Sequence, residues 1–190
     1  MGTTRRVLVL ADSDNTVIAA SNFNRRLDWK KLRDYLADSA EGRELIEMVI
    51  YVGLPPAREQ FEEQRKTKEK FIYWAKSNGF LVVTKEGKNK GDNYETDIDI
   101  VMAMDAVELA LDFRPDIVVL VTGDSDFAYL AEKLRRRGMR VEVASVEQAL
   151  GNDLKLAANS IVDLIEVFDC FEQQNNRQDY FRIGNTNIFD

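Results

Sequence analysis

Residues 116–127 read DIVVLVTGDSDF, an apolar run followed by an acidic turn that together indicate the class of fold. Its first part is almost continuously apolar, which is typical of a strand buried on both faces of a parallel sheet. Its second part is a polar turn that carries two acids, Asp124 and Asp126, directly after the strand. In open parallel sheets, ligands bind beyond the carboxyl ends of the strands. The stretch therefore predicts an α/β domain whose functional site includes this turn.

On both sides of this stretch, short apolar runs alternate with longer amphipathic segments. The apolar runs predict strands at 7–10, 48–52, 80–83, 116–121, 141–144 and 161–167. The amphipathic segments predict helices at 28–37, 57–77, 95–111, 124–137 and about 153–158, with Asp28 as an N-cap. This alternation predicts a doubly wound, mainly parallel sheet of five or six strands with helices on both faces.

The composition excludes several kinds of chemistry. The chain has 33 acidic and 26 basic residues, a net charge of −7, so it does not coat nucleic acid by bulk charge. It contains no histidine, which excludes Ser-His-Asp triads, imidazole catalysis and His-ligated metals. The single Cys170 excludes an intrachain disulfide and a multi-cysteine zinc site. Carboxylates, amides, hydroxyls and ammonium groups are left to carry any chemistry.

We expect one domain over residues 1–168 and a polar tail over residues 169–190. The tail is rich in Asn and Gln and shows no apolar periodicity, so it is predicted to be a simple tail or to dock a protein partner or a second copy. The apolar run 7–11 is too short for a secretory signal, and no stretch approaches the roughly 18 apolar residues of a membrane span. A cytoplasmic location without membrane contact is the resulting expectation.

Acidic side chains follow two of the predicted strands. Asp12 and Asp14, with Asn15 beside them, follow the first strand, and Asp124 and Asp126 follow the fourth. If the two strands are neighbours, three or four carboxylates meet, and like charges that close are costly to ionise. A hard cation such as Mg²⁺ or Mn²⁺ removes that cost. Each acid taken singly is better explained as a helix N-cap, whereas the acids together at two strand ends favour a metal site.

Two further groups of charged residues belong to the same hypothesis. Acids cluster at the start of the helix before the fourth strand, and Asp99 there lies among apolar residues, which suggests a metal or a positive partner. Asp97 and Asp105 are weaker candidates, for which a solvated helix face is an equal explanation. Basic residues that are candidates for holding a phosphate backbone, or are ordinary surface charges, form two sets: Lys85, Lys88 and Lys90, and Arg135, Arg136, Arg137 and Arg140.

These motifs resemble the NYN-domain family of PIN-like nucleases, in its LabA-like branch, over about residues 6–167. The resemblance rests on Asp12-Ser13-Asp14-Asn15, on Asp99 and Asp105 spaced by six positions, and above all on residues 119–127, VLVTGDSDF. Ser13 replaces a family glycine, and Asn159 stands where similar proteins often have Asp. The resemblance implies a PIN-like fold, a Mg or Mn ion and metal-dependent cleavage of RNA.

The preferred prediction is a ribonuclease, an enzyme that hydrolyses RNA phosphodiester bonds, with single-stranded RNA as its partner. The predicted roles are as follows: Asp12, Asp99, Asp124 and Asp126 as metal ligands and catalytic groups, Asn15 as a further catalytic group, Asp97 and Asp105 as additional ligands, and Lys85, Lys88, Lys90, Thr122 and Ser125 as substrate-binding groups.

Two alternatives stay open at the sequence level. Residues 12–17 also fit the opening pattern of haloacid-dehalogenase-like phosphatases, in which Asp12 is the nucleophile and Asp14 the acid/base. The third possibility is a non-catalytic regulator that binds RNA or protein on a PIN-like scaffold.

Overall fold

A computed structural model of the chain describes residues 4–165 and the backbone of 171–173. Strands and helices alternate along it. The strands are β1 (Arg5–Asp12), β2 (Arg25–Leu27), β3 (Arg43–Leu54), β4 (Leu81–Glu86), β5 (Lys88–Lys90), β6 (Asn93–Glu95), β7 (Ile117–Val121), β8 (Arg140–Ser145), β9 (Ser160–Asp163) and β10 (Phe171–Gln173). The helices are α1 (Ser13–Asn22), α2 (Trp29–Leu36), α3 (Glu62–Ser77), α4 (Ile98–Phe113), α5 (Ala128–Arg135) and α6 (Asn152–Ala157).

Six parallel strands form the main sheet in the order β4-β3-β1-β7-β8-β9. The chain moves outward from β1 in one direction and from β7 in the other, so the strand order reverses between these two central strands. Ala11 of β1 pairs with Val121 of β7 at the end of their ladder. The predicted doubly wound α/β fold is confirmed, and its switch point lies between β1 and β7.

The helices cover both faces of the sheet. Alternate residues of β1 face opposite sides, so Val7 and Val9 join one apolar cluster and Leu8 and Leu10 join the other. The first cluster is closed by residues of α1, α2 and α3, and the second by residues of α4, α5 and α6. All five residues of β7 are buried, as its continuous apolar run predicts.

Most predicted elements form near their expected bounds, and the Asp28 cap is confirmed, because its carboxylate accepts hydrogen bonds from the backbone of Lys30 and Lys31. Two segments differ. Residues 13–22 form α1, which the sequence pattern does not reveal because polar Ser13 and Thr16 are buried beside its small apolar residues. The expected basic loop at 85–93 is in part the end of β4 and the β5–β6 hairpin.

The predicted tail lies largely outside the described residues. Within it, the backbone of β10 pairs antiparallel with β2, Phe171 opposite Leu27. Residues 1–3, 166–170 and 174–190 are not described, so the boundary at 168 and the docking role of the tail stay predictions. Across the described residues, no helix combines the length and the apolar character needed to cross a membrane.

Candidate functional site

The two sequence motifs meet at the carboxyl end of the sheet. Ala11 of β1 pairs with Val121 of β7, so Asp12, the last residue of β1, lies level with the start of the 122–126 turn that follows β7. The side-chain oxygen of Asn15 accepts a hydrogen bond of 2.9 Å from the backbone N–H of Gly123. This bond fastens the start of α1 to the turn after β7. The two strands are thus neighbours, as the predicted site requires, while the roles of Asp12 and Asn15 in that site stay predictions.

Asp12 is a half-buried acid among like charges. Its carboxylate caps α1 by accepting a hydrogen bond of 3.1 Å from the backbone of Asn15. Burial raises the pKa of Asp12 to about 6, and the carboxylates of Asp14 and Asp124 push it in the same direction, against the lowering effect of the backbone hydrogen bonds. The Asp12 carboxylate is thus close enough to both acids for their charges to act on it.

The turn after β7 is held in shape by its own polar groups. Asp124 accepts a hydrogen bond of 3.0 Å from the backbone of Asp126 through Oδ1, and its own N–H donates to the buried Thr122 hydroxyl at 3.2 Å. Gly123 leaves room for the 149 backbone, since a Cβ there would overlap the Ala149 carbonyl oxygen. The structure gives Thr122 a contact within the turn, and it leaves Asp126 exposed to solvent.

Lys68 is the group that the sequence analysis missed. Its ammonium lies 2.7 and 2.8 Å from the two Asp14 carboxylate oxygens and donates to the Gly53 carbonyl oxygen at 2.6 Å. The Lys68 side chain is only 6% exposed. The signal was present in the sequence, because Lys68 precedes the buried Phe71 by three positions and so falls on the apolar stripe of α3.

The direction of the chain indicates that the start of α4, with its acids, lies at the same end of the sheet as Asp12 and Asp124. The helix begins after the hairpin at the carboxyl end and leads to β7, which starts at the amino end. Asp99 is half-buried in its first turn, and Asp97, just before it, forms an ion pair of 3.3 Å with Lys88. Asp105 lies one to two turns further along and accepts a hydrogen bond of 3.2 Å from the Tyr51 hydroxyl. Asp105 thus already has a protein partner.

The three candidate lysines lie beside this site, and two of them have acidic partners. Lys85 is exposed at the carboxyl end of β4, where it pairs with Gly53 in the strand register. Lys88 is paired with Asp97, and Lys90 with Glu95 across the hairpin. These exposed pairs neutralise much of the positive charge that the sequence places there. Their role in substrate binding stays a prediction.

The donor chemistry of the site fits a hard divalent cation. Asp12 and Asp124 supply carboxylate oxygens on adjacent strand ends, and Mg²⁺ commonly binds through one or two carboxylates while keeping several waters. Within the described residues, no three acidic side chains converge closely enough to form a ready-made metal centre. Only one of the two Asp124 oxygens accepts a hydrogen bond from the described chain.

The sequence places the chain in a known family. The profile of the NYN domain matches residues 6–166, and the chain therefore belongs to the NYN family. The parallel six-stranded α/β fold is consistent with the PIN-like architecture expected for this family. The resemblance proposed from residues 12–15 and 119–127 is confirmed at the family level.

Individual relatives support the same assignment. The chain is 24% identical to the low amplitude and bright protein LabA of Synechococcus elongatus, over 88% of each chain. It is 33% identical to an uncharacterized protein of Methanocaldococcus jannaschii over 72 residues, 38% of this chain and 30% of that protein. The crystal structure of a protein of unknown function from Vibrio parahaemolyticus superposes with a TM-score of 0.67 at 23% identity, over 86% of this chain and 95% of that one. This last likeness concerns the fold alone.

Proposed function

We propose that the protein is a metal-dependent ribonuclease that hydrolyses phosphodiester bonds in single-stranded RNA. The observation that carries the proposal is the hydrogen bond between Asn15 and Gly123, which joins the two acidic motifs across the switch point. Membership of the NYN family, a family of PIN-like nucleases, supports the reaction class. The cytoplasm, as the compartment of this activity, stays a prediction.

Each residue of the site has a proposed role in this reaction. Asp12 and Asp124 would hold a Mg²⁺ or Mn²⁺ ion, with Asp99 and Asp126 at the same end of the sheet as further oxygen donors. Such an ion lowers the pKa of bound water and neutralises charge on the phosphate, so no histidine is needed. Asn15 keeps its side-chain N–H groups available to a phosphate oxygen, since its carbonyl oxygen is engaged by Gly123.

The Lys68–Asp14 pair makes the phosphatase alternative less suitable. An acid/base at Asp14 would have to contact the substrate, but both of its oxygens accept hydrogen bonds, of 2.7 and 2.8 Å, from the buried Lys68 ammonium.

The test is cleavage of a labelled single-stranded RNA with Mn²⁺, with Mg²⁺ and with excess chelator. The wild-type protein should cleave with metal and not with chelator. Asp124→Asn should reduce the rate more than 100-fold, because it removes a charged ligand rather than an outer partner. The matched control is Asp112→Asn, which makes the same change at an exposed position near the end of α4.

Each outcome separates the candidates. Equal rates for wild type and Asp124→Asn would exclude the proposed site, whereas loss in both Asp variants would point to a general effect of charge. RNA binding without cleavage, unchanged by chelator, would identify the scaffold. Turnover of a small phosphate ester without RNA cleavage would identify the phosphatase.

A further inference from the structure

The exposed face of α5 connects the acidic site to an arginine-rich region at the other end of the sheet. The helix follows the 122–126 turn directly and leads to β8, which starts at the amino end. From Asp126 to Arg136 is ten residues, or about 15 Å of helix. This helix face and its far end are used neither by the core nor by the proposed metal site.

Tyr129 lies near the start of this face, and its ring is accompanied by cations. Its side chain is 65% exposed. The Arg136 guanidinium carbon lies 5.4 Å from the centre of the Tyr129 ring, and the Lys133 ammonium lies 6.0 Å from it. An exposed aromatic ring flanked by cations is the combination on which single-stranded nucleic acids stack their bases and place their phosphates.

Two adjoining concavities lie at the far end of α5. The first has a volume of about 640 Å³ and is lined by Arg135, Arg136 and Arg140. The second has a volume of about 420 Å³ and is lined by Arg114 and Arg137. Gly138 and Met139 line both, so the two concavities adjoin at these residues. Five arginines thus line two neighbouring concavities of a protein whose net charge is −7.

The arginines that line the two concavities differ in whether their side chains have partners within the protein. Arg135 donates to the Ala157 carbonyl oxygen, and Arg140 contacts Glu142 and Ser160. By contrast, the Arg114 and Arg137 side chains have no hydrogen-bond or ion-pair partner in the described part of the chain. A cation near a helix C-terminus is favourable, but one or two such residues satisfy that preference.

Glu132 lies beside this arginine-rich region, but its ion pair with Arg136 does not prevent a ligand from binding there. Glu132 lines the first concavity and lies 3.4 Å from Arg136, with both side chains more than half exposed. Exposed ion pairs of this kind contribute little to stability. A phosphate group, which a guanidinium binds with the same paired hydrogen bonds as a carboxylate, can therefore replace Glu132 at Arg136.

We propose that this surface binds single-stranded RNA whose scissile phosphate lies at the acidic site. We name it the α5 track and define it as Tyr129, Lys133, Arg136, Arg137 and Arg114. The proposal deepens the ribonuclease proposal and rests on it for the position of the scissile bond. At 3.4 Å per stacked nucleotide, 15 Å corresponds to about four nucleotides between the acidic site and the concavities. RNA is favoured over an acidic polypeptide because Tyr129 offers a ring for stacking.

The experiment measures the binding of a fluorescent single-stranded RNA of 12 nucleotides in excess chelator, so that cleavage plays no part. The triple variant Arg114→Ala/Arg136→Ala/Arg137→Ala should bind the 12-mer at least tenfold more weakly than wild type. Its log–log salt dependence should be shallower by about 2, which corresponds to three lost phosphate contacts at about 0.7 each. Tyr129→Ala should weaken 12-mer binding about tenfold.

The matched control is the triple variant Lys30→Ala/Lys66→Ala/Lys76→Ala, which removes three exposed lysines of α2 and α3 on the opposite face of the sheet. It changes net charge equally and should bind the 12-mer within twofold of wild type. An equal loss of affinity for the 12-mer in both triple variants would show that RNA is attracted by net charge alone. No loss of affinity in either variant would show that the α5 track does not bind RNA. Both results overturn the proposal, as would polyglutamate that competes with the 12-mer at equal charge concentration.

The two proposals fail separately. If the wild type cleaves RNA with metal and the track variants bind and cleave as it does, the track proposal alone is wrong. If the wild type binds the 12-mer through the track and cleaves nothing, the ribonuclease proposal is wrong. Melting temperatures within a few degrees of wild type confirm that the exposed substitutions leave the fold intact.

Discussion

The two ends of the main sheet balance their buried charges in opposite ways. At the amino end, one carboxylate, Glu142, is held at 2.9 and 3.0 Å by two arginines, Arg43 and Arg140. At the carboxyl end, one ammonium, Lys68, serves Asp14, while Asp12 and Asp124 lie nearby. Positive charge is therefore in excess at one end and negative charge at the other.

The pKa values follow this difference. Burial by itself raises the pKa of Glu142, but hydrogen bonds from Arg43 and Arg140 outweigh it, and the pKa lies below its ordinary value. The pKa of Asp12 is raised to about 6 by burial and by its acidic neighbours. The amino end is thus arranged for stability, whereas the carboxyl end keeps like charges together at a cost, as functional sites do.

The largest expected effect comes from Lys68→Met. The change leaves Asp14 without its cation and close to the Asp12 carboxylate, and breaking a buried pair from one side costs about 3–5 kcal/mol of unfolding free energy. Urea denaturation at pH 7 measures it. The matched change at the amino end, Arg43→Met, should cost less, because Glu142 keeps Arg140.

A second variant checks the cause. Adding Asp14→Asn to Lys68→Met removes both charges and should restore a large part of the lost stability. If the double variant is as unstable as Lys68→Met, then packing of the lysine stem rather than charge is responsible. Equal costs for Lys68→Met and Arg43→Met would contradict the proposed contrast between the two ends.

Gly123→Ala should have the next largest effect. A Cβ at this position would overlap the Ala149 carbonyl oxygen and lie 2.9 Å from the Ser145 hydroxyl, so backbone must shift. Overpacking of this kind costs about 2–3 kcal/mol, and it should also disturb the Asn15 hydrogen bond and lower any cleavage rate. The control is Gly42→Ala, before β3 at the amino end, where φ is +69° and nothing lies within 4 Å. It should cost about 1 kcal/mol and leave cleavage unchanged.

The smallest expected effect is a change in pH dependence. The pKa of Asp12 is higher in the folded protein than in the unfolded chain, so ionisation between about pH 4 and pH 6 lowers the free energy of unfolding. Asp12→Asn keeps the N-cap and removes this titration. The variant should therefore be about 1–2 kcal/mol more stable than wild type at pH 7 in chelator, with the advantage lost by pH 4.

Glu142→Gln is the counterpart with the opposite sign. Because the pKa of Glu142 is lowered on folding, its ionised form stabilises the protein above its ordinary pKa, and this contribution disappears as the pH falls. Glu142→Gln should thus be less stable than wild type at pH 7, and the difference should shrink under acidic conditions. Parallel pH profiles for the two variants would show that the two ends do not differ in the way described here.

The sequence determined much of the architecture because local patterns report burial. Continuous apolar runs such as 117–121 predict strands buried on both faces, and the alternation with helices predicts the doubly wound sheet. The motifs at 12–15 and 122–126 could also be assigned to the carboxyl end, since every parallel strand ends there. The helix 13–22 was missed because its polar residues face the protein interior, where periodicity gives no warning.

Only the tertiary structure decided which charges compensate each other. Lys68 and Asp14 are 54 positions apart, and Arg43 and Glu142 are 99 apart, so no local pattern pairs them. The position of Arg114 next to Arg137 in one concavity likewise depends on α4 and α5 ending near each other. Hydrophobic burial can be predicted from the periodicity of apolar residues along the chain, whereas ion pairing depends on distances that exist only after the chain has folded.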